Sequence, residues 1–252
     1  MLLVMIKSNV QIQDYTGEKI LWEAQLGKEP VIVPTDISPI VSQIKLAPFT
    51  LEWFFTATEL EGLGDRVAAI SSQAPISRPN PNHWSIIDDN GGQIRYRRVG
   101  VGAVNCALPA MKSRYEEEML PFVTESYKGY EPIILRGSEH PYSIWDIPPD
   151  TGTDLHIDGR PITSVVKLDS NTEWNTTIVH PDPGSDAKNE APILLRYQAN
   201  SGFFWDLRSN PHQGRPNTKR RIGMDINFGS AIFSSDHSVD ATGVNGAYLL
   251  TS

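Results

Sequence analysis

The chain has 252 residues, 39% hydrophobic and 21% charged, the balance of an ordinary globular protein long enough to bury a real core. Its 22 Lys+Arg against 30 Asp+Glu leave a net charge of −8, which argues against a non-specific grip on nucleic acid or an anionic membrane. A single cysteine, Cys106, rules out a disulfide framework and a cysteine-based zinc site, and a reducing, cytoplasmic setting is expected.

The opening MLLVMI is six apolar residues followed by Lys7. That is too short for a signal peptide or a membrane span, and it reads as a first strand or a buried N-terminal segment. Pro and Gly, 19 each, are spread along the whole chain and favour many short elements. Val4–Ile6, Lys19–Trp22 and Pro30–Val33 read as strands. Leu51–Leu63 reads as a short helix ending near Gly62 and Gly64, and Pro75–Asn82, with three prolines, as a loop. Ile94–Val101 reads as a strand carrying Arg95 and Arg97 on one face and Arg98 on the other. Ala110–Tyr127 is the main helix, with Met111, Tyr115, Met119 and Phe122 at helical spacing and a kink or split expected at Pro121.

Beyond Tyr130 the pattern turns to strands: Ile133–Leu135, Tyr142–Ile147, Asp154–Asp158, Ser164–Asp169, Asn175–Val179, Ile193–Gln198, Phe203–Leu207 and Arg221–Phe228. Eight extended pieces punctuated by Gly, Pro, Asn and Asp predict a mainly β chain with flanking helices, built on a jelly-roll or barrel core. The expected organisation is one domain over 1–252. Residues 1–130 would buttress a core of 131–230, and 231–252 would form a C-terminal extension. Cys106 is expected to be buried and inert.

Six histidines are candidates for chemistry. In Leu155-His156-Ile157-Asp158, strand geometry sends His156 and Asp158 to the same face. They supply two members of a facial triad of two histidines and a carboxylate, which leaves positions open on an iron(II) ion. A bare His-x-Asp is more often an ordinary surface feature. His212, 56 residues on, follows a strand and a turn, and Arg221 comes nine residues later. The segment from Arg221 to Phe228 alternates: Ile222, Met224, Ile226 and Phe228 share one face, and Arg221, Gly223, Asp225 and Asn227 share the other. Arg220 falls on the apolar parity. His180, only 24 residues after His156, comes too soon to return as a third ligand, and His83, His140 and His237 read as solvated.

This order of His-x-Asp, distal His and following Arg resembles the Fe(II)/2-oxoglutarate-dependent oxygenases, over about residues 130–230. The resemblance implies a double-stranded β-helix with Fe(II) held by His156, Asp158 and His212, and the distal carboxylate of 2-oxoglutarate held by Arg221. It implies an oxidation using O2, most simply hydroxylation of a small molecule such as an amino acid, a peptide-tethered residue or a natural-product intermediate, with release of succinate and CO2. Many members carry Ser or Thr two residues after the Arg, and here that position is Gly223. Asp158 separates the chain from related halogenases, which place a small residue there.

Arg95, Arg97, Trp145, Arg160 and Trp205 are candidates for contacting substrate, although solvated charge and core packing are the ordinary roles of such residues. Neither nucleic acid nor membrane is an expected partner. The alternative reading, a non-catalytic jelly-roll module, leaves the ordered His, Asp, His and Arg to chance. Phosphate-binding, HExxH, GxSxG and dinucleotide motifs are absent.

Overall fold

The computed structural model describes residues 8–26, 31–73, 85–89, 94–128, 137–158, 160–229 and 248–249. The strands are β1 Val10–Asp14, β2 Ile20–Ala24, β3 Leu46–Thr50, β4 Ser85–Asp89, β5 Ile94–Val99, β6 Gly137–Ile147, β7 His156–Ile157, β8 Ile162–Lys167, β9 Asn175–Val179, β10 Ile193–Tyr197, β11 Ser201–Trp205, β12 His212–Gly214, β13 Arg221–Phe228 and β14 Tyr248–Leu249. They form two antiparallel seven-stranded sheets. One runs β14-β7-β12-β9-β10-β1-β2 and the other β3-β11-β8-β13-β6-β5-β4.

From β6 to β13 the chain crosses repeatedly between the sheets. The four-strand orders β7-β12-β9-β10 and β11-β8-β13-β6 are those of a double-stranded β-helix. Both sheets are extended by N-terminal strands: β1 pairs with β10, β3 with β11 and β5 with β6.

Alternation explains how one strand serves two layers. In β13 all eight residues are buried, because the strand lies between β6 and β8. Ile222, Met224, Ile226 and Phe228 join a core beneath the helices α2 (Leu63–Gln73), α3 (Val101–Ala107), α4 (Met111–Arg114) and α5 (Leu120–Ser126). Phe204 of β11 joins that core too and stacks on Phe49 at 4.0 Å, while its neighbours Phe203 and Trp205 point between the sheets. A second core of Val10, Ile12, Leu195, Phe203 and Leu207 fills part of the space between the sheets, and a cavity occupies the rest.

The main helix runs 111–126 without breaking at Pro121. A π turn at Tyr115–Met119 joins α4 to α5. Met111, Tyr115, Met119 and Val123 are all buried, at steps of four. At 3.6 residues per turn, three such steps would drift about 120° around the axis, and one extra residue in a turn takes back about 100°. The same wide turn makes room for the proline ring.

Other expectations are corrected. Leu51–Leu63 is a 3-10 turn (Leu51–Trp53) and a short helix α1 (Ala57–Leu60), separated from α2 by Gly62 at φ +63°. The strand expected over Ile94–Val101 stops at Val99 and α3 begins at Val101. Residues 31–34 form no strand, and Cys106 is exposed. The expected strands Val4–Ile6 and Ile133–Leu135 and the loop Pro75–Asn82 lie outside the described residues, as do His83 and His237. Among the described residues no helix is long and apolar enough to cross a membrane.

Candidate metal centre

His156 on β7 and His212 on β12 are direct cross-strand partners. β12 is only three residues long but is fixed from two sides, since His212 also pairs with Val179 of β9. The rings lie 4.4 Å apart, centroid to centroid. Asp158, two residues after His156, completes the group, and one ligand atom from each of the three lies within 4.8 Å of the others. His212 Nε2 is 3.3 Å from Asp158 Oδ2, and His156 Nε2 is 3.9 Å from Oδ1.

Both imidazoles are tethered by the opposite nitrogen. His156 Nδ1 stands 2.7 Å from the Asp154 carbonyl and His212 Nδ1 3.1 Å from that of Asn210. A carbonyl only accepts, so each Nδ1 carries the proton and each Nε2 offers its lone pair to the centre. Histidines that bind metals commonly donate the other ring N–H to a carbonyl or carboxylate in this way, which fixes the tautomer and the ring's aim. Asp154 thus contributes its main-chain carbonyl. His180 is not part of the cluster.

The electrostatics favour a cation. Burial, with the neighbouring His212, lowers His156 to about 4, so it is neutral at ordinary pH. Burial opposes ionisation of Asp158, yet His212, His156 and the Trp205 indole bring it down to about 2. Burial likewise opposes protonation of His212, and the Asp158 carboxylate outweighs it and raises the imidazole. Three protein donors with the remaining side open to a cavity fit a catalytic ion, whereas a closed structural zinc site needs four.

That cavity is lined by the cluster, by Thr153, Asn175, Thr177, Tyr197, Gly214 and Trp205, and by the whole polar face of β13, namely Arg221, Gly223, Asp225 and Asn227. Arg221 is 5% exposed. Its Nη2 donates to the Thr151 carbonyl at 2.8 Å, and its buried Nε has no partner among the described residues. Arg220 turns outward, as its parity requires, into a two-point contact with Asp146 at 2.7 and 2.6 Å.

Of the residues expected to contact substrate, Trp145 and Trp205 line the cavity. Trp205 also donates its indole N–H to Asp158 Oδ2 at 3.1 Å. Arg160 does not reach the cavity wall; it is buried with Nη1 3.4 Å from the Gly229 carbonyl. The side chains of Arg95 and Arg97 lie outside the described residues.

Among the described side chains of that strand, Arg98 lines the cavity, stacked 4.3 Å over Trp145 and donating to Ser143 and to Asp225, each at 2.7 Å. Sequence reasoning missed Arg98, Tyr197, Thr177 and Asn175. Asp225 and Asn227 were placed on the correct face of β13 but given no role.

No protein-family model and no curated protein matches the sequence. Solved structures do. A prolyl hydroxylase from Trichoplax adhaerens, in complex with a hypoxia inducible factor peptide fragment, aligns with 73% of this chain and 82% of its own at 14% identity and a TM-score of 0.50. The non-haem alpha ketoglutarate dependent epimerase SnoN from nogalamycin biosynthesis aligns with 82% of this chain and 90% of its own at 12% identity and TM-score 0.51. The same epimerase with Fe3+, alpha ketoglutarate and nogalamycin RO gives 80%, 88%, 10% and 0.51. At these identities the likeness is one of fold, and the fold is the double-stranded β-helix.

Proposed function

We propose that this chain is an Fe(II)- and 2-oxoglutarate-dependent oxygenase, with His156, Asp158 and His212 as iron ligands and Arg221 as the anchor for the distal carboxylate of 2-oxoglutarate. The observation that carries the reading is the pair of tethered imidazoles whose Nε2 atoms converge with the Asp158 carboxylate on one cavity. The fold shared with iron- and alpha-ketoglutarate-binding SnoN supports it. We further propose hydroxylation of a small molecule: R–H, O2 and 2-oxoglutarate become R–OH, succinate and CO2.

When bound, iron(II) and 2-oxoglutarate supply the oxidising chemistry at positions the protein leaves open. The chain's own residues prepare the place. The carbonyls of Asp154 and Asn210 fix the two ring tautomers, and the Trp205 N–H holds one oxygen of Asp158. The unsatisfied Nε of Arg221 is a donor awaiting an anion, and an Arg fork suits a carboxylate.

Gly223 brings no hydroxyl beside it, and a Cβ there would make a tight contact of 3.0 Å with the Val166 carbonyl. The Tyr197 hydroxyl takes the role of second donor. It lines the same cavity, interacts electrostatically with Arg221, and is kept protonated by burial, which raises the phenol. The apolar walls of Val165, Ile147 and the two tryptophans exclude water from the reacting centre.

The test is anaerobic titration with Fe(II) and 2-oxoglutarate, following the weak visible absorption of the metal-bound 2-oxo acid. Wild type gives the band, His212→Ala loses it, and Arg221→Ala needs far more 2-oxoglutarate to reach it. A well-folded wild type with no band under saturating iron sinks the reading in favour of a non-catalytic jelly-roll module.

A further inference from the structure

Arg221 enters β13 between two bonds made to its neighbours' main chain by side chains of the β8–β9 loop. Asp169 Oδ2 accepts from the Ile222 N–H at 2.9 Å, and Asn171 Nδ2 donates to the Arg220 carbonyl at 3.1 Å. Two residues on, Glu173 accepts from the Lys219 N–H at 3.0 Å and from the Thr218 hydroxyl. Asp169, Asn171 and Glu173 thus clamp the approach to Arg221 from residue 218 to residue 222.

Lys167 joins the first two members of this clamp. It is the last residue of β8, 0% exposed, and its Nζ donates to Asp169 Oδ1, to the Asn171 carbonyl at 2.9 Å and to Asn171 Oδ1 at 3.0 Å. All three of its donors are used. In the sheet it stands opposite Gly223, two residues from Arg221. Burying an ammonium is expensive, and an apolar side chain of the same length would fill the space without that desolvation. Among the described residues Arg221 is held at its tip by one hydrogen bond, to the Thr151 carbonyl. Its aim therefore depends on the main chain at its root, where the clamp acts.

We propose that Lys167 is a positioning residue for Arg221: by tying Asp169 to Asn171 it fixes the strand on both sides of Arg221, and so sets how well the guanidinium meets the distal carboxylate of 2-oxoglutarate. The proposal rests on the function proposed above and deepens it.

The experiment compares two acids on the iron(II)-loaded protein without oxygen: 2-oxoglutarate, and 2-oxobutanoate, which has the same 2-oxo acid head and no distal carboxylate. Both are titrated through the visible band, and the ratio of their affinities reads the engagement of the distal carboxylate, by Arg221 together with the Tyr197 hydroxyl. Lys167→Met is expected to weaken 2-oxoglutarate about tenfold, the size of one charge-assisted hydrogen bond, and to leave 2-oxobutanoate unchanged. Its ratio then approaches that of Arg221→Ala.

Asn171→Ala keeps the Lys167–Asp169 ion pair and removes the Asn171 side chain's bonds to the Arg220 carbonyl, to Lys167 Nζ and to the Glu173 N–H. It should shift the ratio in the same direction by a smaller factor, and it decides the matter if Lys167→Met does not fold. An unchanged ratio in the folded variants, or an equal loss for both acids, overturns the proposal and leaves Lys167 a purely structural residue. A wild type that binds both acids equally overturns the role of Arg221 and this proposal with it. A wild type that binds neither overturns the reading of the whole site.

Discussion

Trp205 and Asp158 are joined across the cavity by an indole N–H···Oδ2 hydrogen bond of 3.1 Å, and the same carboxylate oxygen lies 3.3 Å from His212 Nε2. A tryptophan that is 1% exposed therefore has both a packing role and a polar one. Trp205→Phe keeps most of the packing and removes the donor. Iron(II) affinity should fall by about tenfold or more, the usual cost of removing an outer partner of a metal ligand. Competition titration against a chelator measures it, and unchanged affinity would show that the bond does not orient Asp158.

Adjacent arginines separate anchoring from surface pairing. Arg221→Ala should weaken 2-oxoglutarate by a hundredfold or so, since a buried bidentate partner of a carboxylate is lost. Arg220→Ala removes only the outward contact with Asp146, which also accepts from Ser71 of α2. It should leave 2-oxoglutarate binding within about twofold, as exposed pairs contribute little. Equal losses in the two variants would contradict the assignment by parity.

Tyr197→Phe tests the hydroxyl proposed to stand in for the donor that Gly223 lacks. Removing one hydroxyl should weaken 2-oxoglutarate roughly fivefold to tenfold while leaving 2-oxobutanoate alone, in line with one neutral hydrogen bond. A similar loss for both acids would place the hydroxyl elsewhere in the site.

Gly202 in β11 is required by sheet geometry. A Cβ there would stand 2.4 Å from the Val165 carbonyl, a backbone atom of the neighbouring strand β8. Gly202→Ala should destabilise the protein by about 2–3 kcal/mol through forced separation of the strands. Urea denaturation reads this directly, and a change below about 0.5 kcal/mol would mean that the strands part without strain.

Asp225 should leave a signature in the pH dependence of stability. Burial raises its carboxyl from 3.8 to about 6, against the pull of the Arg98 guanidinium. Between those values the folded state binds more protons than the unfolded one. This contribution is therefore fully present below about pH 4 and is lost as pH rises through 6, a swing of roughly 3 kcal/mol. Asp225→Asn has no group to titrate there and should lack the decline. Denaturation of metal-free protein from pH 4 to 8 makes the comparison, and parallel curves would show that Asp225 ionises as an ordinary carboxylate.

The sequence was most readable where local pattern and tertiary environment agree. Strands β9 and β13 have the limits that composition suggests, and the alternation along β13 separates the cavity face from the helix-facing core residue by residue. Reading failed where a contact distant in sequence decides. The strand read as far as Val101 ends at Val99, and Val101–Ala107 packs as a helix on the outer face of the sheet. Arg98 becomes a cavity residue only through the pairing of β5 with β6, which sets Arg98 opposite Trp145. The clamp around Arg221 is equally remote, since 45 to 53 residues separate its partners. β12 is too short to carry a pattern and is fixed by its neighbours on both sides.

The pairing of β12 with both β7 and β9 makes the site all-or-none. Sliding that three-residue strand by one position would turn His212 away and present Gln213 in its place, because strand faces alternate. No intermediate, partly formed cluster exists along that slide. Insertions in the loops on either side of β12 are free to accumulate so long as the ladder keeps its count, whereas one residue gained or lost inside the ladder abolishes the centre outright. Lineages built on this plan can therefore diverge widely in sequence and still inherit the same arrangement of donors.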